Sequence, residues 1–253
     1  MKNRNWHSKA CILSLDELAS SHKIATVLIE EENEEPYILQ ATLFGGAKSK
    51  LAGFIIPYYT GILYLYTNPV KDSHKITDFQ VEKMRFAIRE SLPRIWAASF
   101  AVEVCIKMKG INWELINAFF DGIAMSDATE CKRGVLRFIW RLAHTSGLAP
   151  HFYGCSNCKK CDASGLYFDH TTGEFFCSSC TFNKHSSSFL TDEAIQYLYK
   201  IQYCIPQISR CTVLSDASAS HLAIFLFRLI TSITGSELYS LAPQNPLYQS
   251  VKF

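Results

Sequence analysis

Five of the chain's ten cysteines fall within one short stretch, as Cys155, Cys158, Cys161, Cys177 and Cys180. Cys155-x-x-Cys158 and Cys177-x-x-Cys180 form two knuckles with eighteen residues between them, a spacing that fits a structural zinc site. Each knuckle folds two thiolates onto one side of a tight turn. Two knuckles together then offer four sulfurs at the corners of a tetrahedron, a geometry that Zn²⁺ accepts. Cys161 makes a rival knuckle with Cys158, fifteen residues from Cys177, so the residues alone leave one of the first three cysteines spare. His144, His151, His170 and His185 flank the knuckles as substitutes. A metal held by four thiolates, one per chain, has no open coordination position; it holds a fold together and does not activate water. Disulfides are the alternative, but paired knuckles in a chain with no secretory signal favour metal.

A second stretch has the composition of an anion contact. In Gly45-Gly46-Ala47-Lys48-Ser49-Lys50 the glycines let backbone approach a ligand, two lysines can neutralise phosphates and Ser49 can donate to a phosphate oxygen. An ordinary exposed turn has the same composition, and the spacing is not that of a P-loop. Tyr58, Tyr59, Tyr64 and Tyr66 follow, and either stack on bases or fill a core. Because Tyr64 and Tyr66 alternate with Leu63 and Leu65, one pair faces in and the other out. The run Glu30-Glu31-Glu32-Asn33-Glu34-Glu35 is a solvated hairpin tip that repels phosphate. Asp121, Asp127 and Glu130 read as caps and solubilising charge, no nucleophile and base announce themselves, and no enzyme is expected. With a formal net charge of +2, any nucleic-acid surface must be local.

Positioning these residues requires an α+β multidomain chain: an N-terminal OB-fold barrel over 1–78, helices over 79–150, a zinc module over 151–188 and a helical return over 189–253. The expected strands are Ala10–Leu15, Ile24–Glu30, Tyr37–Phe44, Leu51–Tyr58 and Ile62–Asn68, the five an OB barrel needs. Helices are expected from Asp78 to Ile88, Arg94 to Met108, Trp113 to Met125 with Asn112 as cap, Cys131 to Ser146, Thr191 to Tyr203 and Ser218 to Ser232. Arg133, Arg137 and Arg141 share one helix face, which is either solvated or meets an anionic partner. The last helix is apolar nearly all round and must be buried. The scattered cysteines Cys11, Cys105, Cys131, Cys204 and Cys211 read as reduced, and the basic start is too short for a signal peptide, so a cytoplasmic location is expected.

In this order of parts the chain resembles the bacterial RecO recombination mediator family. Gly147-Leu-Ala-Pro150-His-Phe-Tyr-Gly-Cys155-Ser-Asn-Cys158 is similar to that family's Gly-x-x-Pro stretch running into its first knuckle, which favours Cys155 over Cys161. Gly173 ahead of Phe175-Phe176-Cys177-Ser-Ser-Cys180 is similar to the second knuckle, and Gly45 to Leu51 followed by Pro57-Tyr58 to a glycine and lysine-serine segment of the barrel. The chain departs at Ala19-Ser20-Ser21-His22-Lys23, where family members carry a Gly-Glu pair. The resemblance implies a non-enzymatic mediator of DNA repair and recombination after DNA damage. Such a mediator binds single- and double-stranded DNA, anneals strands, joins RecR, contacts the C-terminal tail of single-strand-binding protein and helps load RecA. Lys48, Ser49 and Lys50, with Lys9 and Arg4, would contact phosphates; the helical domain would supply an apolar pocket for the tail; and the protein would work at the bacterial nucleoid. The competing readings are a zinc-stabilised protein-interaction module with weak or no DNA binding, and an OB-containing nucleic-acid enzyme.

Overall fold

The computed structural model describes residues 4–18, 21–159, 165–181 and 186–251. They divide into two compact units, 1–91 with 101–124, and 92–100 with 125–253.

In the first unit, β1 (Asn5–Glu17), β2 (Lys23–Glu30), β3 (Tyr37–Leu43), β4 (Thr60–Asn68) and β5 (Ser73–Lys83) close a barrel in the order β1-β2-β3-β5-β4. All neighbours are antiparallel except β3 and β5, which run parallel through Ala41↔His74 and Thr42↔Lys75. This is the OB-like barrel expected. Ala10, Ile12, Val27, Ile29, Leu43, Leu63, Leu65, Ile76 and Phe79 fill it. Leu63 and Leu65 are the inward pair, as the alternation with Tyr64 and Tyr66 requires.

Two strand expectations are corrected. Leu51–Tyr58 is not a strand: Ala52, Phe54 and Ile55 donate to Ser49 and Leu51 carbonyls in successive turns, and Tyr58 takes a positive φ of 74°. The fifth strand is instead Ser73–Lys83, part of which had read as a helix start. Its pairing slips between Tyr64 and Leu65, which oppose Asp78 and Ile76, so Thr77 is left over. That bulge turns Ile76 and Phe79, three residues apart, to the same inner face and imitates helical spacing. Phe86–Glu90 is a 3₁₀ turn.

The first unit also holds the C-terminal part of α1 (Leu92–Lys107) and α2 (Trp113–Ile123). Asn112 caps α2 by accepting from the Leu115 N–H at 2.8 Å. Arg85 ties α2 to the barrel. Its guanidinium donates to Asp121 at 2.7 Å, Asn117 at 2.9 Å and the Tyr58 carbonyl at 2.6 Å.

In the second unit, α3 (Ala128–Thr145) starts one turn earlier than expected because Asp127 caps it, accepting from the Glu130 N–H. After α3, a three-stranded sheet has the order β7 (Glu174–Phe176), β6 (Leu166–Asp169), β8 (Ser187–Leu190). It is followed by α4 (Asp192–Tyr203, capped by Thr191), the short α5 (Pro206–Arg210), α6 (Asp216–Thr234) and α7 (Pro246–Ser250). Among the described residues only α6 is long and apolar enough to cross a membrane, and its Leu222, Phe225, Leu226 and Ile230 pack against β8, α3 and α4.

The arginine face of α3 is neither solvated nor open to an anionic partner. Arg137 is buried against Glu130 and the Tyr197 hydroxyl. Arg141 donates to the Cys204 carbonyl at 3.0 Å and the Ser209 hydroxyl at 2.9 Å, and Arg133 donates to the Leu214 carbonyl at 2.9 Å. Arg141 and Arg133 close the segments after α4 onto α3 through backbone carbonyls, that of Cys204 being one the end of α4 leaves without a helical partner, while Arg137 holds α4 itself through Tyr197.

Candidate metal centre and nucleic-acid surface

The sulfurs of Cys155, Cys158, Cys177 and Cys180 all lie within 4.8 Å of one another, and no described histidine joins them. Cys161 and His185 lie outside the described residues. Cys158 Sγ and Cys177 Sγ are 3.7 Å apart. Metal–sulfur bonds of about 2.3 Å at tetrahedral angles require edges of about 3.8 Å, which the Cys158–Cys177 pair matches, so four thiolates gathered within 4.8 Å suit a Zn²⁺ ion.

Local backbone builds the cluster. The Ser156 N–H donates to the Phe175 carbonyl, fastening the first knuckle to β7, and the Cys180 and Thr181 N–H groups return to the Cys177 carbonyl. Gly165, with φ of 123°, enters β6 where a Cβ would stand 2.2 Å from the Leu190 carbonyl oxygen, so only glycine fits. Burial opposes ionisation of Cys155, but N–H groups of Cys158, Cys177 and Asn157 aimed at its sulfur bring the thiol down to about 6. Cys180 is pushed up to about 12, first by its hydrogen bond with the Cys177 side chain. Cys155 is therefore a ready thiolate, whereas a cation must displace the proton of Cys180. By contrast, burial holds Cys11 at about 12, the state of an inert core thiol.

Beneath the knuckles is an aromatic core. Phe225 of α6 meets Phe168 at 5.0 Å, Phe175 at 6.3 Å and Trp140 at 6.4 Å between ring centroids, and Phe152, just before the first knuckle, meets Phe175 at 4.7 Å.

The residues expected to contact phosphate do not gather in one place. Lys48 and Lys50 are exposed in the β3–β4 connection, where Gly46–Lys48 forms a 3₁₀ turn and the Ser49 hydroxyl accepts from the Leu51 N–H. Gly46 packs on the Ser21 carbonyl, and the Gly45 N–H donates to His22 Nδ1 at 3.2 Å, so this loop sits at the β1–β2 turn. Lys9 pairs with Glu30 at the other end of β2, seven residues or roughly 23 Å away. It lines a cavity of about 960 Å³ together with Trp6 and Glu30 to Glu34. Arg4 is exposed just before β1, its carbonyl accepting from the Thr67 N–H.

The tyrosines are also reassigned. Tyr59 is buried in the barrel core, Tyr58 packs on Phe120 at 5.4 Å and Tyr64 stacks on His7 at 5.2 Å. The aromatic beside the lysine loop is Phe44, the residue before Gly45. It is 48% exposed, with Lys75 Nζ 5.0 Å above its ring and His22 at 4.7 Å. Sequence reading missed it because Phe44 ends a strand and Lys75 comes from a parallel partner thirty-one positions away.

A search of curated proteins finds no match to the chain. Residues 114–226, from α2 into α6, match the family model described as the recombination protein O C-terminal domain. That span holds the four-cysteine cluster, the sheet beneath it and α3 and α4. Preceded by a five-stranded OB-like barrel, this match supports a RecO-type protein with a role in DNA repair and recombination.

Proposed function

We propose that the chain is a recombination mediator that binds single- and double-stranded DNA through its barrel, promotes annealing and helps load RecA on DNA coated by single-strand-binding protein. The observation that carries the reading is the pairing of a recombination protein O C-terminal domain with a barrel whose lysine loop and exposed Phe44 share one corner. Lys48 and Lys50 contact phosphates, with Ser49 beside them; Lys9 and Arg4 offer further phosphate contacts at the opposite end of the strand pair. RecR and the tail of single-strand-binding protein are the protein partners. For an acidic, apolar tail, the second unit offers a cavity of about 470 Å³ with Phe227, Leu238 and Leu241 as apolar walls and Arg228 as cation. Zn²⁺ is held by Cys155, Cys158, Cys177 and Cys180 and, when bound, supplies rigidity and no chemistry. The work is done in the bacterial cytoplasm.

The test is salt-dependent binding of fluorescent single-stranded DNA, with zinc measured on the same sample. One zinc per chain is expected, with affinity that falls steeply with salt. Lys48→Ala with Lys50→Ala should then reduce the slope by roughly one unit per lost phosphate contact. If zinc-loaded, folded protein fails to bind DNA even at low salt, the reading shifts to a zinc-stabilised protein-interaction module.

A further inference from the structure

We propose that Phe44 is a stacking platform for one unpaired nucleobase and gives the barrel a preference for single strands over duplex. The inference rests on the DNA-binding reading above and assigns the site within it.

Phe44 leaves β3 with nearly half its surface in water, although the adjoining Leu43 is wholly inside the barrel. One cation stands over its ring and others lie on the adjoining strand and loop. Lys75 Nζ stands 5.0 Å above it, and Lys23 pairs with Leu43 and runs its stem beside Gly46. Lys48 and Lys50 follow within six residues, exposed. The one described carboxylate paired with this group is Glu17, 3.9 Å from Lys23 and itself exposed.

A cation over an exposed phenyl ring is held weakly, so Lys75 can yield the ring to a base and move to the neighbouring phosphate. An aromatic face beside a lysine-lined groove is how proteins hold single strands without reading sequence, since every base offers a π face. In a duplex that face is already stacked. Phosphate contact alone would make the loop indifferent to strandedness, whereas the ring adds a term that only an unpaired base satisfies. His22 keeps the ring's surroundings in place by accepting the Gly45 N–H while its imidazole lies tilted against Phe44.

The test compares a fluorescein-labelled oligo-dT, an oligonucleotide of equal length made wholly of abasic sites, and a duplex, using full-length zinc-loaded protein. The wild-type protein should bind oligo-dT more tightly than the abasic strand. Phe44→Ala should lose roughly 5- to 150-fold on oligo-dT, while its affinity for the abasic strand and its salt slope stay unchanged. Phe44→Trp should retain tight binding, and its added emission should be quenched by oligo-dT and not by the abasic strand. Equal loss on both strands in Phe44→Ala, no loss on either, or a tryptophan signal indifferent to bases would each overturn the proposal. Failure of the wild-type protein to bind oligo-dT at low salt would remove the DNA-binding reading and this proposal together, an outcome distinct from selective failure of Phe44→Ala.

Discussion

Arg85 and Asp121 meet at 2.7 Å, joining the end of the barrel to α2, and the arginine side chain is only 3% exposed. A buried guanidinium needs a counter-charge and acceptors for its donors. Asp121, Asn117 and the Tyr58 carbonyl supply them, and Lys83 flanks the same carboxylate at 2.7 Å. Burial pushes Asp121 upward, but hydrogen bonds from Lys83 and Arg85 outweigh it and hold the carboxyl below its ordinary value of 3.8.

A group whose folded pKa is depressed contributes stability that is full above its unfolded value and lost as pH falls through the folded one. Wild-type protein should therefore lose part of its stability on acidification below about pH 4. Asp121→Asn should cost about 1–3 kcal/mol at neutral pH and flatten that acid limb. Urea unfolding at several pH values reads both. An unaltered acid limb in the variant would show that other carboxylates carry it.

Arg137 on α3 makes a prediction that separates structure from partner binding. Its side chain is 8% exposed and meets Glu130 and Tyr197. Arg137→Ala should cost roughly 3–5 kcal/mol, because it leaves a part-buried carboxylate without its cation. The salt slope of DNA binding should be unchanged in whatever fraction remains folded. A reduced slope would return this face to the role of an anion contact.

Arginines at every fourth position look like a solvated stripe, and nothing local shows that Cys204 and Ser209, more than sixty residues away, will turn carbonyl and hydroxyl groups toward them. Knuckle spacing, the Asn112 and Thr191 caps and the strands β1 to β4 were legible because their signals are local: short motifs, cap residues and alternation. β5 was not, because its bulge at Thr77 breaks the period of two that identifies a strand. Phe44 as a surface aromatic was hidden for the same reason as the arginines, its cation coming from a distant parallel strand.

Gly46 tests the loop without touching charge. With φ of 48°, any Cβ there would lie 2.2 Å from the Ser21 carbonyl oxygen. Gly46→Ala should displace the loop from the β1–β2 turn and weaken oligo-dT binding several-fold, with all lysines present and the zinc content unchanged. Gly53→Ala has open space around its Cβ and should bind as the wild type does. Equal behaviour of the two variants in a binding titration would mean that loop position is irrelevant to DNA.

The ligand set makes its own prediction. Cys155→Ser and Cys177→Ser should each bring zinc below one per chain, whereas Cys161→Ser should leave it at one. Atomic absorption on protein purified without added metal decides this. Retention of zinc by Cys155→Ser together with its loss from Cys161→Ser would move the first knuckle to Cys158 and Cys161.

Phe225 links metal to fold. It is wholly buried on α6, touching Phe168 and Phe175 of the sheet and Trp140 of α3, so the knuckles rest on a ring that belongs to a helix outside them. Replacing a buried phenylalanine by alanine costs about 3–5 kcal/mol through lost burial and the cavity left behind. Phe225→Ala should therefore lower the melting temperature although all four cysteines are present, and it should speed zinc loss to a chelating dye, because the first knuckle is held to β7 by the Ser156 to Phe175 hydrogen bond. Phe225→Leu keeps most of the volume and should lie between the wild type and alanine in both readouts. If melting temperature falls while the rate of zinc release does not change, the knuckles hold their shape independently of α6, and the aromatic core stabilises the helices alone.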